Sequence, residues 1–158
     1  MLQELSFRSD VFDRRAVIYN AIHRYLGNII YSGKYEQPDF ETFGAYLDAV
    51  ETTRFLFSKR LHLEVKALQA FVDDFLSYAR HANDRSQILS AEQADAAQAT
   101  LDRRATELRR RFQLLPELFE QEMSITLQQG DGAAPYVTST TSNDTPDQIG
   151  VRSKTERS

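Results

Sequence analysis

Leu61, Val65, Leu68, Val72, Phe75 and Ala79 step along the chain by fours and threes, and Ala94, Ala97, Leu101, Ala105, Leu108, Phe112 and Leu115 repeat the rhythm. Such heptad spacing places one apolar stripe on each of two helices, and neither stripe is stable until another surface covers it. The polar stretch "NDRSQIL" between them is too short for anything but a turn, so the two helices run antiparallel. The expected fold class is therefore all-α, an antiparallel helical bundle with two long heptad-patterned helices. Alanine fills the first half of the second stripe and admits a closely approaching neighbour. Ala94 and Ala97 are thus candidates for a contact with a protein partner, including a second copy of the chain.

Two further helices precede this pair. Leu5, Phe12, Tyr19, Ile22, Leu26, Ile29 and Ile30 share one side of a helix over residues 2 to 32, with Asp13, Asn20 and Arg24 opposite. Gly33 is placed to end it as a left-handed cap. Asp39 is placed to cap a short second helix bearing Phe40, Phe43, Leu47 and Val50 and ending near Arg54. Ser58 is expected to cap the third helix, which runs to about Ala82, and "SAEQ" at 90–93 reads as a capping box for the fourth. Pro116 should kink or restart that last helix, leaving Leu118, Phe119 and Met123 to hold a terminal segment. From Gly130 the composition turns to Gly, Ser, Thr, Asp and Pro without period, too poor in apolar residues to offset chain entropy. The expected organisation is a helical domain over 1–128 and a disordered tail over 129–158.

Function classes are narrowed mainly by what the sequence lacks. Without cysteine there are no disulfides, thiolate nucleophiles or cysteine-held metals. No apolar run is long enough to span a bilayer, so a cytoplasmic protein is the default expectation. A net charge of −4 argues against a generic binder of nucleic acid, which needs clustered positive charge. His23, His62 and His81 form no metal-ligating pair on one helical face, and no glycine-rich phosphate cradle or nucleophile elbow occurs. No catalytic, cofactor-binding or metal-binding residue is assigned, and the chain is expected not to be an enzyme.

Arg15 is the sharpest oddity. Phe12, Tyr19, Ile22, Leu26 and Ile29 all fall within roughly 60° of it on a helical wheel, so its guanidinium points where the core should be. Glu51 and Arg54 lie within the apolar arc of the second helix in the same way. The expected resolution is an ion pair of Arg15 with Glu51, beside Tyr19 and the corner Phe55-Leu56-Phe57, because an unpartnered buried guanidinium is costly. The alternatives are an Arg15 that extends its head to water at the bundle edge, or one that binds a ligand. Phe55 and Phe57 are expected to plug the end of the core where the second and third helices meet, with an exposed aromatic contact as the alternative.

These residues also carry a resemblance. "VFDRRAVIYNAI" and the later "TRFLFSKRL" resemble a widespread group of uncharacterised small bacterial helical proteins marked by F-x-x-R-x-x-V/I-Y-x-A and a later Arg/Glu-Phe-Leu-Phe. Phe12, Arg15, Ile18, Tyr19, Ala21, Phe55, Leu56 and Phe57 are the matching positions, within residues 5–80. In that group the helical part commonly follows a membrane-spanning helix, so the resemblance implies membrane association. The sequence here opens at "MLQELSF" without such a span.

Arg103 and Arg110 are seven apart, as are Arg104 and Arg111, so two arginine rows run beside the apolar stripe of the last helix. Such rows ordinarily pair with acids such as Asp102 and Glu107 or with a facing helix. The other reading makes them a surface for nucleic acid or an anionic membrane. The reading favoured by the sequence as a whole is a non-enzymatic protein-protein interaction or scaffold module.

Overall fold

The computed structural model describes the backbone of residues 2–85 and 88–128 and the side chains of residues 9–85 and 88–123. The described residues form four helices, α1 (Leu2–Tyr31), α2 (Phe40–Leu56), α3 (Lys59–Arg85) and α4 (Ala91–Gln128). The expected tail over 129–158 lies outside the described residues, as do Ser86 and Gln87 of the polar turn.

Packing runs in a ring, α1 on α2, α2 on α3, α3 on α4 and α4 back on α1, while the diagonal pairs stay apart. Each neighbour is antiparallel to the next. Tyr25 meets Tyr46, Glu51 meets Lys66 and Asp74 meets Arg104, and on the closing side Tyr19 meets Phe119 while His23 meets Phe112. The result is an up-down-up-down bundle, the arrangement that short connections favour. All six residues of the α3 stripe are buried, and in α4 burial runs through Leu101, Ala105, Leu108, Phe112, Leu115 and Phe119. From α1 come Ile18, Ile22, Tyr25, Leu26, Ile29 and Ile30, whereas Phe12 is 44% exposed instead of joining the core.

The helix ends follow the capping chemistry of the sequence. Asp39 Oδ1 accepts from Thr42 N at 2.9 Å and its Oδ2 from the Thr42 hydroxyl at 2.9 Å, and these bonds lower its carboxyl pKa. Ser90 N donates to Gln93 Oε1 at 3.2 Å, and Gln93 N to Ser90 Oγ at 3.4 Å, closing the capping box. Gly33, at φ 72°, supplies the left-handed turn that ends α1. Tyr35 is also left-handed, at φ 53°, a conformation costly for a residue with a side chain. Its ring holds it there by meeting Phe75 edge-on at 5.2 Å, while its hydroxyl accepts from Arg109 at 2.9 Å. The α1–α2 loop is thereby strapped across α3 and α4.

Two expectations about helix limits are corrected. The third helix continues past Ala82 to Arg85, and of the two outcomes expected at Pro116 the restart does not occur, since the fourth is one helix from Ala91 to Gln128. A helical proline costs about 3 kcal/mol. Burial of Phe112, Leu115 and Phe119 on either side of it outweighs that, at roughly 1.5–3 kcal/mol for each large apolar side chain.

Past Phe75, α3 continues for about 15 Å at 1.5 Å per residue. It meets α4 at Tyr78, whose hydroxyl donates to Ala97 O at 3.3 Å, beyond the point where α1 has ended. Along this hairpin the stripes pass from large apolar residues to the half-exposed Ala82, Ala94 and Ala97. The sequence stops supplying core residues where the covering helix stops.

Tyr25 and Tyr46 stack at 4.0 Å with an 11° interplanar angle and are 0% and 1% exposed, yet neither hydroxyl has a hydrogen-bond partner among the described residues. Burial, and after it the negative charge of Asp73, push the Tyr25 phenol up to about 12, and burial raises that of Tyr46 as well. Since both values lie above those of the unfolded chain, the folded state keeps its protons longer. This contribution to stability is intact below pH 10 and is lost as pH rises through about 12. Urea titrations should show that alkaline loss in the parent and a flatter profile in Tyr25→Phe/Tyr46→Phe. At neutral pH the double variant should gain about 1 kcal/mol, because two desolvated hydroxyls have been removed.

Candidate functional site

The motif residues converge at the α2–α3 corner. Helix α2 stops at Leu56, Phe57 is extended and α3 starts at Lys59, so the chain reverses within two residues. Ser58 caps α3 as expected, its Oγ accepting from Leu61 N at 3.2 Å. Arg15 reaches this corner from α1. Its Nε donates to Leu56 O at 2.7 Å, its Nη1 donates to Glu122 O at 3.3 Å, and its guanidinium lies 5.1 Å from the Phe57 ring. The Glu122 carboxylate accepts from both the hydroxyl and the backbone N–H of Ser58. Three helices and the corner are joined by two side chains.

Glu51 is not the partner of Arg15, which corrects the expected ion pair. Its carboxylate accepts from Lys66 Nζ at 2.8 Å on the α2–α3 rim, and Lys66 holds its pKa below the usual carboxylate range. The helical wheel of α2 placed Glu51 in the apolar arc, but that edge of the arc faces α3. Arg15 instead meets the end of α2, where the last carbonyls lack intrahelical donors. The plug is likewise half of what was expected. Phe57 is buried and meets Phe119 edge-on at 5.1 Å, but Phe55 is 70% exposed, with the Arg54 guanidinium 4.4 Å from its ring centroid. Of the motif residues, Tyr19 and Phe57 meet Phe119 and Arg15 joins Leu56 and Phe57, whereas Phe12, Glu51, Arg54 and Phe55 face outward.

The arginine rows have different surroundings. Arg104 pairs with Asp74 and lies 4.6 Å from the Tyr78 ring, and Arg111 lies 4.4 Å from Phe71 while bonding Glu107 at 2.8 Å. These two staple α4 to α3. Arg110 also bonds Glu107, and Arg103 reaches Thr100 at 3.4 Å; both face outward. Arg110 and Arg111 hold the Glu107 carboxyl down at about 2. Asp102 accepts from Gln98 instead of an arginine.

Chemistry-bearing side chains outside the corner serve packing. Thr53, 0% exposed, donates to Val50 O at 2.6 Å, so its oxygen must accept from His62 Nδ1 at 2.7 Å, which fixes a proton on that nitrogen. His23 lies between the Tyr19 and Phe112 rings, and His81 Nδ1 donates to Ser77 O. Among the described residues, no three His, Asp or Glu side chains converge as a metal site. A cleft of about 430 Å³ opens between α3 and α4, floored by Leu68, Leu115 and Leu118 and edged by Arg60, Glu64 and Arg110. Sequence reading missed Glu122, since a partner more than sixty residues from Ser58 leaves no local pattern.

Comparison of the chain with protein-family models, curated proteins and solved structures finds no match.

Replacing Arg15 by Met should cost about 1.5–3 kcal/mol in urea unfolding, the usual range for charge-assisted hydrogen bonds. The loss should be additive with that of Glu51→Gln in a double-mutant cycle, because the two side chains have separate partners. A coupling of more than about 0.5 kcal/mol would restore the ion pair.

Proposed function

We propose that the chain is a non-enzymatic helical interaction or scaffold module and that the α3–α4 hairpin beyond α1 is its presenting element. One observation carries this reading. Ala82, Ala94 and Ala97 are half-exposed on the hairpin, whereas the same stripes are buried lower down, where α1 and α2 cover them. Ile88, at the hairpin turn, is 84% exposed. A helical partner laid along this stripe restores the four-helix packing of the rest of the chain, and a second copy of the hairpin is the simplest such partner. Tyr78 bonds the backbone carbonyl of Ala97, and the side chains of Ala94 and Ala97 stay half-exposed for the partner.

A cytoplasmic setting belongs to this reading; no described helix is long and apolar enough to cross a membrane. The rival surface, for nucleic acid or an anionic membrane through Arg103, Arg104, Arg110 and Arg111, draws less support. Arg104 and Arg111 are committed to α3, and Arg110 shares Glu107 with Arg111.

Light scattering over a concentration series tests the proposal. The parent chain should pass from monomer to dimer, and Ala94→Glu should remain monomeric with unchanged helicity. A parent that stays monomeric at every concentration would remove the self-association.

A further inference from the structure

The α2–α3 corner has an outer face that the packing of the bundle does not use. Phe55 and Leu63 are 70% and 56% exposed, large values for apolar side chains on either side of a rigid turn. Lys59 and Leu63 are four apart on one face of α3, and Arg54, Lys59 and Arg60 are all exposed. From Thr52 to Leu63 the chain carries these three cations and no acid, although the whole chain has a net charge of −4. Of the nearby acids, Glu51 is engaged by Lys66, the Glu122 carboxylate is engaged by Ser58, and Glu64 lines the α4-side cleft together with Arg60.

We propose that this corner docks on an anionic lipid surface. Phe55 and Leu63 enter the headgroup region, and Arg54, Lys59 and Arg60 meet its phosphates and carboxylates. Spacing and charge both favour this occupant. The patch sits on a two-residue reversal, and along the chain its two exposed apolar side chains have Lys59 and Arg60 between them and Arg54 before them. A soft interface accepts isolated apolar side chains flanked by long cations, which keep their heads at the polar boundary while their stems lie along apolar groups. Phe57, buried against Phe119, anchors the corner from inside, so Phe55 is presented by a fixed backbone. This contact uses different residues from the arginine rows of α4 and does not rest on the hairpin reading.

The test is co-sedimentation of the full chain with phosphatidylcholine vesicles, with and without phosphatidylserine, at low and high salt. The chain should bind only the phosphatidylserine vesicles, less well as salt rises. Lys59→Ala and Arg60→Ala should each weaken binding by about fivefold, the share of one basic residue near an anionic surface. Phe55→Ser should weaken it as well, with all three variants melting like the parent. Absence of binding by the folded chain would overturn the proposal. Binding that is equal in parent and variants would overturn it too, by moving the contact to another surface such as Arg103 and Arg110. So would retention by an immobilised acidic polypeptide in preference to the vesicles.

Discussion

A guanidinium drawn partly out of water must recover its lost hydration from the protein, and Arg15 recovers it from main-chain carbonyls. Leu56 O belongs to the last turn of α2, among the carbonyls that the helix cannot satisfy itself and at the negative end of its dipole. Two residues on, Ser58 opens α3 at the positive end of the next dipole, and the Glu122 carboxylate takes its N–H and hydroxyl. The corner thus sets two helix ends of opposite polarity side by side, and a cation from α1 and an anion from α4 each serve the matching one. Because the cation also reaches Glu122 O, the reversal between α2 and α3 fixes where α1 and α4 lie.

Aromatic contacts carry that placement along the α1–α4 seam. Phe57 meets Phe119, Phe119 meets Tyr19, Tyr19 meets His23, and His23 meets Phe112 at 4.6 Å. Tyr31 meets Phe112 edge-on at 6.2 Å near the end of α1. On the α3–α4 seam the order is reversed, with apolar stripes inside and Arg104 and Arg111 laid over Tyr78 and Phe71 at the rim. Both seams rely on flat rings, which bury large areas at little cost in side-chain entropy. Beyond α1 this covering ends, and a two-helix hairpin with a half-exposed alanine stripe remains.

Periodicity made the bundle legible, because the steps of four and three at Leu61–Ala79 and Leu101–Leu115 admit no other regular structure. Caps were legible for the same local reason, since Asp39, Ser58 and Ser90 each act within three residues of their own position. What escaped was set by distance or by competition. Glu122 is remote in sequence from both Ser58 and Arg15, and no spacing rule links them. Pro116 followed its local rule less than its neighbours' burial. Tyr25 and Tyr46 fall at core spacing, three residues after Ile22 and four before Val50, yet a hydroxyl-bearing ring reads as a boundary residue. Phe55 and Phe57 look alike in sequence, and only the extended backbone at Phe57 turns one inward and leaves the other outside.

The corner therefore has two faces with different work, an inner one that holds four helices in register and an outer one that displays a phenylalanine among cations. Both depend on the guanidinium being held from within. The most direct measurement is the NMR signal of the Arg15 side chain in the full chain. A resolved, slowly exchanging Nε–H is expected, with a through-hydrogen-bond coupling to the Leu56 carbonyl carbon and contacts to the Phe57 ring. A rapidly exchanging Arg15 resonance with neither coupling nor ring contacts would contradict it.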